Sequence, residues 1–532
     1  MNKMTLSFAF MLLATLLFVS CEVEPVSMIG GKQIDAEALN NTSVSLRSMS
    51  TSKEAVRVIM SEGGGFITEG ITVVTNHPLS MDQTIILEGR DDLIEQYSFK
   101  TGTAYSALPE AFYEFDSNGA TILKAGDTYS EVCRLILYST NKIGNRLKPG
   151  RYLLPVAMKS TTDDHSDNVI YYDVSVREKF TYEYDLYEGD DFFLVFYLNT
   201  SEYDPRLVTD YVMWKDNFST GKTEWYNSIG NIVNLRKTTV GYDKDGGRAL
   251  LNLSSDMKYV LSNYHTYVLP VQETGRKVCL TIEGGGTGLG FCNMSDIQIA
   301  DFVSQIKLVF DNYPLDGISL WDRNSSYGKE GMPEVNTTSY PKLIKALRDM
   351  LGEDKLLTLA DYGEPTEYFW DADATGGISV GDYIDYAWSG YCDVKEPNLI
   401  IDPWHQESEY VSKKYPRKPI AGLSPEDYGC INAPWQPNLK TNDEVKVWED
   451  SWNNVVEWVS AGYKHNNILV CEDIRTSLQD NYEFSWFEFM VLSAMIDDSF
   501  LHNDGSCSYM FDKSNLTMLS GAQGYGKWRK DW

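Results

Sequence analysis

Basic charge is scarce in this chain. Its 532 residues carry 46 Lys and Arg against 76 Asp and Glu, a formal net charge of −30 at pH 7. A surface of that sign repels a phosphate backbone, so nucleic acid is excluded as a partner. Cysteine is sparse too, eight in all and irregularly spaced. With Cys21 set aside, Cys133, Cys279, Cys292, Cys392, Cys430, Cys471 and Cys507 remain. That odd set forms neither a disulfide framework nor a zinc motif, and its members read as small buried hydrophobes. No metal and no cofactor is expected. Long apolar runs are missing as well: past the first twenty residues, no stretch approaches the ~18 apolar residues of a membrane span.

The N-terminus is the exception to that last absence. Lys3 is the only charge before position 21, and an apolar run from Phe8 to Val19 ends at Ser20-Cys21. This is the pattern of a secretory h-region. The segment Leu17-Phe18-Val19-Ser20-Cys21 resembles a bacterial lipobox, which implies lipidation at Cys21 after removal of residues 1–20. Residues 21–45 are polar, Gly- and Pro-punctuated and without periodicity, as in a tether. The expectation is a secreted lipoprotein on the outer membrane and cell surface of a Gram-negative bacterium, touching the membrane only through its anchor.

Two rhythms follow. From Leu46 to about residue 180 the chain alternates in short strands such as Val56–Met60, Thr84–Leu87, Cys133–Leu137 and Tyr152–Val156, separated by turn signals such as Lys148-Pro149-Gly150. This predicts an all-β sandwich over residues 46–180. The acidic stretch Asp163–Asp167 reads as a solvated loop. After a Tyr-rich acidic linker, apolar runs alternate with helical stretches across residues 190–532. The runs are Phe192–Leu198, Ile232–Leu235, Val278–Ile282, Leu315–Leu320, Leu356–Ala360, Tyr383–Trp388, Pro419–Leu423 and Ile468–Cys471. The helical stretches include Asp296–Asn312, Tyr340–Leu351 and Asp443–Ala461. Eight such units predict an α/β TIM barrel, (β/α)8, whose working residues follow the strand C-termini.

Four strand ends carry further information. The first closes Asn199-Thr200-Ser201-Glu202. The third closes Glu283-Gly284-Gly285-Gly286-Thr287-Gly288-Leu289-Gly290-Phe291. The fourth reads Asp316-Gly317-Ile318-Ser319-Leu320-Trp321-Asp322-Arg323, and the sixth Trp388-Ser389-Gly390-Tyr391. In this order they resemble family 18 glycoside hydrolases of the endo-β-N-acetylglucosaminidase type. Tyr105 through Leu108-Pro109-Glu110 and Tyr113, with Gly150–Val156, resemble the N-terminal domain that often precedes such modules. The resemblance implies a site in which the substrate's own acetamide attacks the anomeric carbon. A Glu protonates the leaving oxygen, and an Asp two residues earlier orients the acetamide. Here Arg323 stands at the Glu position, Trp321 at the orienting Asp, and Ser319 at an Asp before it. Tyr391 stands at the acetamide-holding Tyr. A guanidinium gives up no proton near neutral pH, so Arg323 cannot act as the acid.

The expectation is therefore a glycan-binding barrel without a catalytic residue. Its candidate ligand contacts are Trp321, Arg323, Tyr391, Glu283, Phe291, Asn293, Asp361, Trp388, Trp404 and Trp435, with Trp370 and Gln436 beside them. Aromatic faces suit the C–H side of a pyranose, and a few placed polar groups suit its hydroxyls. N-glycans or other N-acetylglucosamine-containing oligosaccharides are the implied ligands, and outer-membrane glycan-uptake proteins the implied partners. Two alternatives stay open: an active endoglycosidase with a displaced acid at Asp322, Asp361, Glu472 or Asp473, and a scaffold or adhesin.

Overall fold

The structure is a computed structural model. It describes residues 43–51, 55–159, 168–177, 193–210, 212–217, 222–228, 230–434, 441–474, 507–510, 529–530 and 532. Cys21, the tether to residue 42, the acidic loop at 163–167, Trp435 and Gln436 lie outside them.

The N-terminal part is β-rich. Val44–Ser48, Phe66–Thr75, Cys133–Tyr138 and Tyr113–Phe115 pair antiparallel in one sheet. A second sheet runs Ala55–Ser61, Val169–Arg177, Gly150–Met158, Gln83–Gly89, Ala120–Leu123. Alternation drives the packing. In Cys133–Tyr138 the residues Cys133, Leu135 and Leu137 are buried and those between are not. They meet Val58, Leu154, Val156, Tyr172 and Val174 of the other sheet in one apolar cluster. Gly119 is required where the chain turns into Ala120: its φ is +81°, and a Cβ there would lie 2.2 Å from the Leu87 carbonyl oxygen.

The C-terminal part is a nearly closed parallel barrel. Its strands in order are Phe193–Asn199, Ile232–Asp243, Lys277–Gly284, Gly317–Trp321, Leu356–Asp361, Tyr386–Ser389, a split seventh of Tyr428–Gly429 and Ile431–Pro434, and Ile468–Glu472. The eighth pairs with the first, Phe193 opposite Ile468. The first half of the seventh pairs with the sixth, and its second half with the eighth. The helices begin where the side chains allow it. Ser295 caps Asp296–Asn312 in a reciprocal box with Gln298, and Thr441 does the same with Glu444 for Asn442–Ser460.

The seventh strand is not Pro419–Leu423. That segment carries Pro419 and belongs to the loop after strand six, where Ala421 N–H donates to the Phe369 carbonyl. Ile420 is buried there, so an apolar loop anchor imitates a strand. The second strand also runs longer than its apolar run and folds back on Arg248–Leu253 as a hairpin.

The two parts are joined by buried charge. Asp204, fully buried after strand one, accepts from Arg206 Nε at 3.0 Å and Nη2 at 2.7 Å, and lies 3.8 Å from Arg57 of the β-rich part. Arg206 donates in turn to the Arg57 carbonyl and covers the Tyr267 ring at 4.9 Å. Ile59 is buried in the same cluster as Leu207 of the barrel. Asp204→Asn leaves buried guanidinium groups short of a counter-charge and is expected to cost about 3 kcal/mol in denaturant unfolding of the full chain. Asp450→Asn, which breaks only an exposed helix pair, is expected to leave the midpoint unmoved.

Candidate functional site

Side chains alternate along a strand, so Ser319 and Trp321 share one face of strand four and Ile318 and Leu320 the other. Trp321 packs inside the barrel with Tyr197, Ala360, Trp388 and Val470, whereas Ile318 and Leu320 pack against the helices. The lumen is filled by an aromatic plug. The Tyr197 hydroxyl is 2.9 Å from Ser319 Oγ and accepts from Trp388 Nε1 at 2.9 Å. Tyr197 meets Trp321 edge-on at 5.0 Å. All four residues are fully buried.

Above the plug sits a four-membered charge cluster. Arg323 lies over the Trp321 ring, its guanidinium carbon 3.6 Å from the centroid. It reaches Glu283 from strand three at 3.3 Å and Glu472 from strand eight at 2.5 Å. Arg236 from strand two reaches Glu283 at 2.6 Å and Glu472 at 3.8 Å. Burial favours the neutral form of Glu283, but Arg236 and Arg323 outweigh it and hold the carboxyl below its ordinary pKa. Burial opposes the Arg323 charge, and Glu472 and Glu283 outweigh that, raising its pKa. Glu283 is thus an ionised acceptor, and Arg323 a fixed cation. Neither can hand a proton to a leaving group.

The glycine loop after strand three serves this cluster. Gly284 N–H donates to the Arg323 carbonyl at 2.9 Å, and a Cβ at Gly284 would lie 2.5 Å from that oxygen. The loop lets the Arg323–Tyr327 turn dock tightly. Asn293 braces the same loop, accepting from Gly290 N–H and donating to the Gly288 and Pro333 carbonyls, all at 2.9 Å.

Several expected ligand contacts are corrected by this geometry. Trp321 offers no free stacking face, because the plug and Arg323 cover it. Trp388 is core and hydrogen-bonded to Tyr197. Phe291 is fully buried against Tyr340 at 4.9 Å, and Asn293 is spent on its own loop. Trp404 is half-buried against Tyr428 at the start of strand seven and His465 ahead of strand eight, away from the Arg323 cluster. Asp361 is buried, accepting from Thr366 and Tyr428 and lying 3.6 Å from Arg417.

Tyr391 remains at the rim. It is half-buried and stacked on Tyr415 at 4.1 Å, with Tyr362 at 4.9 Å. Its hydroxyl accepts from Gly363 N–H at 2.9 Å and from Arg417 at 2.6 Å. The neighbouring Lys418 covers the ring of Trp370, which is 41% exposed. One further polar atom is left open here. Trp321 Nε1 is buried without a hydrogen-bond partner, and it borders Gly390, where a Cβ would lie 3.1 Å from it. Sequence reasoning missed Arg236 and Arg417. Arg236 had one legible sign: it follows Asn234 at period two, just past the apolar run Ile232–Leu235.

Asp322 faces away from the lumen, as its parity demands. It accepts from the Ser325 and Tyr327 hydroxyls, with the Cys292 thiol at 3.5 Å. Burial raises its pKa against those three hydrogen bonds.

Residues 40–165 match a family model described as "-like, N-terminal domain". The chain is similar to an endo-β-N-acetylglucosaminidase of Flavobacterium sp. (strain SK1022), 34% identical over 149 residues, 28% of this chain and 46% of that protein. It is also similar to endo-β-N-acetylglucosaminidase F1 of Elizabethkingia meningoseptica, 26% identical over 164 residues, 30% of this chain and 47% of that one. The chain spans about half the length of each curated relative it matches. Among solved structures, EndoBT-3987 of Bacteroides thetaiotamicron with a Man5GlcNAc product aligns over 81% of this chain and 89% of that one, at 16% identity and TM-score 0.39. A GH18 chitinase of Pseudoalteromonas aurantia aligns over 57% and 100%, at 13% identity and TM-score 0.35.

The ion cluster makes a pH prediction. Because the folded pKa of Glu283 lies below its unfolded value, its stabilisation is full above about pH 5 and is lost as the pH falls through the depressed value. Glu283→Gln is expected to cost about 3 kcal/mol near neutral pH. The gap from wild type, followed by thermal unfolding against pH, starts to narrow as the pH falls through the ordinary Glu range of about 4.3 and closes only below the depressed folded value. A gap of equal size at pH 3 and pH 7 would show that the charge is not what stabilises.

Proposed function

We propose that the barrel binds N-glycans or other N-acetylglucosamine-containing oligosaccharides without cleaving them. The observation that carries this reading is Arg323, a cation locked between Glu283 and Glu472 at the position where a neutral carboxyl would have to stand. The relatives over 149 and 164 residues are named endo-β-N-acetylglucosaminidases, which supports the ligand class. The contact surface is the rim, not the buried centre. Trp370 and the Tyr362–Tyr391–Tyr415 group offer aromatic edges and faces. The Trp321 N–H, buried without a partner beside Gly390, is an unsatisfied donor behind that rim. An unpaired buried donor costs about 1–3 kcal/mol.

The reading places the chain on the cell surface as an outer-membrane lipoprotein anchored at Cys21. The β-rich part acts as a sandwich spacer, and glycan-uptake proteins are the partners to which captured sugar passes. A second reading has one observation in its favour: Asp322 is a buried carboxyl with a raised pKa, as a general acid needs. Its orientation into the Ser325–Tyr327 loop opposes that role.

Soluble protein starting at residue 22 is expected to bind a subset of N-acetylglucosamine-containing glycans on an array. Trp370→Ala, which removes an exposed ring and leaves the core intact, is expected to weaken that binding at least about tenfold, near the top of the range for a stacking contact. Trp321→Ala is a poorer probe, since emptying a core indole site costs about 3–5 kcal/mol of stability by itself. Absence of binding to every such glycan, or full binding by the Trp370 variant, would overturn the rim assignment.

A further inference from the structure

The barrel carries a second constellation that the mouth does not use. Asp402 lies in the loop between strands six and seven, with His405 three residues on. His465 lies sixty residues further, three ahead of strand eight. One carboxylate oxygen and one ring nitrogen from each histidine lie within 4.8 Å of one another. Asp402 Oδ2 and His405 Nδ1 are 2.8 Å apart. The two imidazoles are nearly parallel, 14° between planes and 5.0 Å between centroids.

From these residues we propose a divalent transition-metal site, with zinc as the fitting ion, held by Asp402, His405 and His465. Zinc bonds of about 2.0–2.1 Å at tetrahedral angles set donors roughly 3.4 Å apart. The observed set brackets that spacing, from 2.8 Å to no more than 4.8 Å. Two imidazoles and a carboxylate suit zinc and not magnesium or calcium, which take oxygen. A water completes the fourth position.

Two features separate this from an ordinary Asp–His hydrogen bond. The first is His465 Nε2, a buried ring nitrogen with no hydrogen-bond partner. A single Asp–His pair leaves no reason to bring a second imidazole there. The second is orientation of the carboxylate. Asp402 is fully buried, its Oδ1 accepting from the Trp404 and His405 backbone N–H groups at 3.0 and 3.3 Å, and the Trp458 indole N–H approaches Oδ2 at 3.4 Å. Such outer contacts fix the direction in which a ligand atom points.

The site has a structural consequence. The loop between strands six and seven runs from Gly390 to Asp427 and contains Tyr391, Tyr415, Arg417 and Lys418. A metal shared by Asp402, His405 and His465 ties that loop to the entry of strand eight, and so steadies the rim from below. This proposal stands whether or not the rim binds sugar.

The test uses untagged protein from residue 22, stripped with a chelator and titrated calorimetrically with zinc, then with magnesium. Expected are one equivalent of zinc with a Kd of about 1 µM or tighter, a zinc-dependent rise in the melting temperature, and no response to magnesium. His465→Phe keeps the ring stacking and removes the donor. Checked by circular dichroism for native fold, it is expected to lose at least about 100-fold in zinc affinity along with the thermal shift. Asp402→Asn is a second variant expected to weaken binding while leaving the loop folded. No stoichiometric zinc binding by wild type, or binding that survives His465→Phe, would overturn the assignment.

Discussion

Four charged side chains from four strands meet at the barrel mouth over a buried indole, and the shape of the mouth follows from their pairing. Arg236 and Arg323 face Glu283 and Glu472, two charges against two, each side chain less than a fifth exposed. In such a place a lone ion would be expensive, and a lone carboxyl would take up a proton. Mutual neutralisation removes both outcomes. It also closes the centre: Arg323 lies on Trp321, Trp321 on Tyr197, and Tyr197 on Trp388. A glycosidase needs a proton-bearing acid and room for a distorted sugar at that point. The cluster supplies an ionised Glu283, carboxylates paired to arginines, and a filled lumen instead. The charge pairing and the packing both support the proposal that the barrel binds sugar without cleaving it.

The glycine loop is better understood as a support for the cluster than as a sugar contact. Gly284 and Gly290 let the Arg323–Tyr327 turn approach the loop closely, and a side chain at either would collide with it. Asp322 is drawn into that same turn by Ser325 and Tyr327. The residue nearest in sequence to an acid is thereby held on the far side of the strand from the lumen.

Much of this was readable from the chain alone, for definite reasons. Helix Asp296–Asn312 announces itself by Ser295 and Gln298, a local signal. Seven strand positions follow from short apolar runs, and the presence of Arg323 just past strand four is read directly from the chain. What failed was non-local. Pro419–Leu423 looked like a strand because Ile420 anchors a loop. Trp321, Trp388 and Phe291 looked like ligand contacts because sequence shows that an aromatic sits at a strand end, not what lies above it. The cover over Trp321 comes from Arg323 two residues away, and Arg323 is placed by carboxylates forty and 149 positions distant. Pairing at those separations has no signature in a single sequence. The Asp402, His405 and His465 cluster was missed similarly, since its third member arrives from another barrel unit.

The central claim is that the mouth holds its sugar in the ground state and leaves it intact. The most direct measurement is mass spectrometry of an N-glycosylated protein incubated for hours with excess of the soluble chain, beside an active endo-β-N-acetylglucosaminidase as a positive control. The account predicts full recovery of uncleaved glycoprotein, in the presence of saturable binding. Release of glycan with turnover, cut beside an N-acetylglucosamine and abolished by Asp322→Asn, would contradict it.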